Sequence, residues 1–158
     1  MRYVFPCDIV LDQEELQATG RRAFNVTFPD VYGANTGGWS WEEAVEMAED
    51  CLGVALGMYM NAGEDIPYPS SIAEGQVPIP VPPVVAAKLA LYTAMRQQGI
   101  SAGDLGDILQ LERAAVGKLL DPRYRSHLTQ LENALHAIGY SLVVEDTIRI
   151  PAETGSIA

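Results

Sequence analysis

Arg113 and Lys118 lie in a stretch whose apolar spacing puts both on the outside of one short helix. From there a guanidinium or an ammonium can reach guanine O6 and N7, or a phosphate. Between them stand Ala114 and Gly117, small enough to let the backbone approach a groove. Arg123, Tyr124 and Arg125 follow in the next loop, where docking geometry brings phosphates close. Upstream, Ser101 is suited to cap a preceding helix and offer its hydroxyl to a phosphate. The chemistry these residues suggest is double-stranded DNA recognition, although the same charges would also serve as an ordinary solvated surface.

Catalysis finds less to work with. His127 and His136 are not at a ligand spacing. A paired-carboxylate metal site would need Asp8, Asp30 and Asp50, yet Asp30 reads as a turn residue and Asp50 as the polar flank of a helix. No nucleophile motif or phosphate-binding glycine loop is present. The sequence therefore calls for no catalytic residue, no metal and no cofactor; the expected protein is not an enzyme.

The elements that must position the DNA-facing residues are two short helices, Ala102 to Leu109 and Arg113 to Leu120, with Leu105, Leu109, Leu111, Val116 and Leu119 turned inward. Gly106 falls where crossing helices come closest, as a helix-turn-helix requires. Gln110 occupies the turn position that usually holds glycine and can take it at some backbone cost. Four helices in all fit the run from Val84 to Gly139.

The first half reads differently. Arg2 to Leu11 is apolar and β-rich, a polar connection runs from about Glu14 to Arg21, and Ala23 to Phe28 alternates as a half-buried strand, so the two strands form a hairpin. Ser40 precedes Glu43 at capping-box spacing and announces a helix from Trp41 to Ala62, stopped by Gly63. Its stripe is Ala44, Met47, Ala48, Cys51, Leu52, Ala55, Leu56 and Tyr59. Gly53 and Gly57 within it suggest close packing. The proline-rich passage from Ile66 to Pro83 excludes helix and marks a boundary. Within it, Gln76 to Val81 is either an edge strand or plain linker. The expected architecture is α+β: a small sheet with one long helix over residues 1–81, an all-α helix-turn-helix domain over 82–150, and a disordered tail over 151–158. The apolar stretch Tyr140 to Ile150 is the candidate seam for a dimer or tetramer, or a strand that pairs within its own chain.

Charge separates the halves. Residues 1–76 hold 3 cationic against 13 acidic side chains, a balance of −10, whereas residues 77–150 hold 7 of each. Such a field repels nucleic acid and attracts a cationic protein, though acidic residues also solubilise helix faces. Only Cys7 and Cys51 are present. Two separated cysteines without a charged-then-apolar leader suggest ordinary thiols in the cytoplasm. The longest apolar runs fall short of the ~20 residues a bilayer span needs.

In order along the chain come Tyr3, Phe24-Asn25-Val26-Thr27-Phe28-Pro29-Asp30, Gly33, Thr36 and Gly38, then Glu42-Glu43-Ala44, Ala48, Asp50, Leu52, Tyr59, Gly63 and Ile66-Pro67-Tyr68-Pro69-Ser70. This series resembles the HicB antitoxins over almost the whole chain. The resemblance implies a type II toxin-antitoxin module in which an N-terminal domain similar to a truncated RNase H fold occludes a small basic HicA ribonuclease. It implies a C-terminal domain, here helix-turn-helix, that binds the operator of its own operon as a dimer or higher assembly. On this reading Asp30, Tyr32, Thr36, Glu42 and Glu46 face the toxin. The alternative is a stand-alone helix-turn-helix regulator whose acidic domain senses a ligand or oligomerises.

Overall fold

A computed structural model of the chain describes residues 1–148. Among these the order is β1 (Val4–Leu11), α1 (Gln13–Thr19), β2 (Phe24–Thr27), β3 (Asn35–Gly38), α2 (Trp41–Ala62), β4 (Val77–Pro80), α3 (Pro83–Gln98), α4 (Ala102–Leu109), α5 (Arg113–Leu120) and α6 (Leu128–Ala137). The protein is α+β, with one four-stranded antiparallel sheet and six helices among the described residues. Two compact units divide it: one holds residues 2–55, 67–81 and the C-terminal segment from Glu145, the other Met1, residues 56–66 and 82–144.

In the first unit the strands lie in the order β3-β2-β1-β4. β1 divides its partners: Val4 to Cys7 pair with Pro80 to Val77 of β4, and Asp8 to Leu11 pair with Thr27 to Phe24 of β2. This offset accommodates Pro6, which sits beyond the end of β2, where no partner asks for its missing N–H. Phe5 and Cys7 of β1, Phe24 and Val26 of β2, and Val77 and Ile79 of β4 are buried at alternate positions. Because Val81 N–H donates to Tyr3 O, the odd residues of β4 bond to β1; Pro78 and Pro80 turn to the open edge. Within the passage from Gln76 to Val81, Val77–Pro80 is thus an edge strand and not plain linker.

α2 has the bounds its cap and period predict. Ser40 Oγ accepts from Glu43 N–H at 3.1 Å, while the Glu43 carboxylate reaches back to Trp39 N–H at 2.7 Å, one residue before the cap. Ala44, Ala48, Leu52, Ala55 and Leu56 are buried as expected. Met47, however, is exposed, and Cys51 and Tyr59 are only half-buried; Val45 and Met60 are buried in their place. The buried stripe is rotated toward that side, which leaves Met47 on the rim. At Gly38 a Cβ would lie 2.5 Å from Ala44 N, so β3 and the first turn of α2 meet backbone to backbone.

The polar connection after β1 is a helix instead, α1, capped by Asp12, which accepts from Glu15 N–H at 3.0 Å, and closed by Gly20 at φ 74°. It buries no residue, so no apolar stripe announces it.

The second unit packs Ala87, Leu91, Ala94 and Met95 of α3 against Leu105, Val116, Leu119, Leu131, Ala134, Leu135 and Ile138. Gly57, near the end of α2, lies buried in this unit, where a Cβ would come within 3.0 Å of the Pro122 ring. α4 and α5 have the expected bounds, but Leu111 is 41% exposed; it is the first residue past the turn, and only its main chain is held.

Within the single chain no strand forms over residues 140–148. Residues 140–148 are irregular, with Leu142 alone tucked against the helical core, and Arg149 and Ile150 lie outside the described residues, as does the tail expected over 151–158. Thr147 and Ile148 share a groove with Pro78 and Pro80, whose nitrogens carry no hydrogen to complete a ladder. Val143, Val144 and Ile148 are left largely exposed.

Candidate functional site

α4 begins on a reciprocal cap. Ser101 Oγ accepts from Asp104 N–H at 3.0 Å, and the Asp104 carboxylate accepts from Ser101 N–H at 2.9 Å, which holds that carboxyl below its ordinary value. The Ser101 hydroxyl is therefore already employed as an acceptor, though it can still donate. The helix ends with Gln110 N–H on Asp107 O and Leu111 N–H on Gly106 O, the Schellman pattern, with Gln110 at φ 55° in the slot that favours glycine. Gly106 is buried beneath this turn; a Cβ there would lie 3.1 Å from Leu111 O and 3.4 Å from Val116 Cγ2.

With Val116 and Leu119 inward, α5 leaves Arg113, Ala114, Gly117 and Lys118 exposed together. Lys118 Nζ lies 5.3 Å from the Tyr124 ring centroid, so the side chain leans back over the following loop. Arg123 folds onto Asp121, its Nε 3.3 Å from Oδ1, and part of its charge is neutralised. Arg113 and Arg125 make no ion pair among the described residues. Glu112 precedes α5 and supplies no side-chain cap.

Lys88 is the residue that sequence reasoning missed. It is fully buried on α3, and its ammonium uses all three donors: Lys118 O at 2.7 Å, Asp121 O at 2.8 Å and Ser126 Oγ at 2.9 Å. Burial pushes its pKa down, partly offset by the Asp121 carboxylate. A lone cation inside the apolar run from Val84 to Leu91 is the signal that could have found it. Its function is to close the C-terminal end of α5, where carbonyls lack helical partners.

The acidic unit presents a second surface. Asp30 Oδ2 accepts from Ser70 N–H at 2.7 Å and Ser70 Oγ at 2.9 Å. Tyr32, Glu42 and Glu46 are exposed, whereas Thr36 is half-buried opposite Val26. Arg21 stacks its guanidinium 4.1 Å over the Trp39 ring. Asp8 is bonded by Gln76 Nε2 at 3.3 Å, and Asp50 is exposed on α2, so Asp8, Asp30 and Asp50 do not converge. Among the described residues no group of three or more His, Cys, Asp or Glu side chains could hold a metal ion, and no helix is long and apolar enough to cross a membrane. Burial raises the thiol pKa of Cys7 to about 12, a poor nucleophile at neutral pH.

Residues 11–90 match a family model described as HicB_like antitoxin of bacterial toxin-antitoxin system. Among similar proteins, Antitoxin HicB 2 of Photorhabdus laumondii subsp. laumondii is 33% identical over 117 residues, 74% of this chain and 83% of that protein. Antitoxin HicB 1 of the same organism is 28% identical over 82% of each chain. Antitoxin HicB of Escherichia coli (strain K12) is 29% identical over 75% of this chain and 86% of its own. The expected resemblance thus holds at the level of the family: the chain belongs to the HicB-like antitoxins of bacterial toxin-antitoxin systems.

Proposed function

We propose that the protein neutralises a small basic HicA-type mRNA-cleaving ribonuclease by covering it, and represses its own operon by binding operator DNA. Membership of the HicB-like antitoxins is the observation that carries this reading. On it, the sheet with α2 is a truncated RNase H-like domain and contributes no chemistry. Its acid excess suits a cationic partner, with Asp30, Tyr32, Thr36, Glu42 and Glu46 as the toxin-facing set.

The operator-binding half rests on α4 and α5 as a helix-turn-helix. Support comes from the bare Gly106 under the turn and from the exposed Arg113, Ala114, Gly117 and Lys118. Ser101, Arg123, Tyr124 and Arg125 flank the phosphates. So few unpaired cations bind weakly and lose affinity steeply with salt, so two copies act on a two-fold operator, joined through residues 140–150. Both targets are cytoplasmic in a bacterium, and so is the protein on this reading.

The test is co-expression with the small basic reading frame beside its gene, scored for growth rescue and co-purification, together with gel shifts on the promoter of that operon. Rescue with a shift supports both activities. A shift without a toxic neighbour leaves a stand-alone regulator.

A further inference from the structure

The Asp30–Ser70 clamp joins two residues forty positions apart and fixes the segment after Pro67 to the turn between β2 and β3. Two residues from each end of the clamp stands a tyrosine open to solvent: Tyr32 is 95% exposed and Tyr68 72%. Two residues of chain span at most about 7 Å between Cα atoms, so the backbones of both tyrosines are tethered close to the clamp. Among the described residues neither tyrosine makes a hydrogen bond or ring contact, and no cation pairs with Asp30. Its Oδ1 remains an unused acceptor, while Oδ2 is fixed by Ser70.

Nothing in the fold requires aromatic side chains at these positions. Exposed rings tethered to the same clamp as an unpaired carboxylate oxygen can receive a guanidinium or an ammonium, through the ring face and a charge-assisted hydrogen bond. The −10 balance of residues 1–76 draws such a group from a basic protein. The clamp also removes part of the ordering cost that exposed loops otherwise incur on binding. We infer that Tyr32, Tyr68 and Asp30 form a receptor for a lysine or arginine side chain of the basic toxin; this rests on the antitoxin reading and assigns one docking point within it.

The probe is the neighbouring toxin, rendered harmless by an inactivating substitution and titrated calorimetrically into the full chain. Tyr32→Leu and Tyr68→Leu each weaken binding about tenfold or more. Tyr32→Phe and Tyr68→Phe stay within about twofold, because the ring face and not the hydroxyl receives the cation. Asp30→Asn weakens binding and flattens its salt dependence. Unchanged melting temperatures of the tyrosine variants exclude misfolding as the cause. Leucine variants that bind like the wild type overturn the receptor and leave the antitoxin reading standing. A wild-type protein that fails to bind the toxin removes both.

Discussion

Lys88 Nζ donates to Lys118 O at 2.7 Å, a buried cation of α3 bonded to the last turn of the helix that carries the exposed Arg113 and Lys118. Lys88→Met keeps the bulk of the side chain but leaves the carbonyls of Lys118 and Asp121 without their donor. The expected loss is about 2–4 kcal/mol, read from urea unfolding of the full chain. Operator affinity should fall with it, since α5 would fray at its C-terminal end.

Gln110 is the sole non-glycine at positive φ among the described residues. A side chain there costs about 1–2 kcal/mol, partly offset by the greater freedom glycine has when unfolded. Gln110→Gly should therefore stabilise by roughly 0.5–1 kcal/mol and raise the melting temperature by about 2–4 °C per kcal/mol. A lower melting temperature would show that the Gln110 side chain makes a favourable contact in solution.

Gly117 has open space around its Cα, with nothing within 4 Å of an added Cβ. Gly117→Ala should stabilise the helix by about 1 kcal/mol. If the backbone approaches DNA at this point, operator affinity measured by gel shift drops although the fold becomes more stable. Equal affinity would mean that α5 stands off the groove at Gly117.

Three aspartates sit below their ordinary value of 3.8: Asp12 through Glu15 N–H, Asp104 through Ser101 N–H and Asp121 through Arg123 N–H. Between each lowered value and 3.8 the unfolded chain binds more protons than the folded one, so stability rises with pH there. The contribution is complete above 3.8 and is lost as pH falls through the folded value. Thermal melts between about pH 5 and pH 3 should show this limb, and Asp104→Asn should flatten it.

The helices are legible where a cap, a period and a stop agree. α2, α4 and α5 begin and end where Ser40, Gly63, Ser101 and the apolar spacing put them. α1 is hidden because it buries nothing and is specified only by Asp12 and Gly20 at its ends. Near the C-terminus the apolar run with Val143, Val144 and Ile148 forms no strand within the chain, because such a run becomes a strand only where a partner can bond it. The bonds that Lys88 and Asp30 make escape sequence reasoning for a shared reason. Each side chain is committed to residues distant in sequence, Lys118 and Ser70, and no local pattern reports such partners.

The prolines of β4 bear on how this sheet behaves when many chains are made at once. An edge that shows carbonyls but no N–H cannot template the next strand, because half of every ladder would be missing. Fibre growth by edge-to-edge stacking is thus blocked on that side by the backbone itself, whatever the side chains of an incoming molecule.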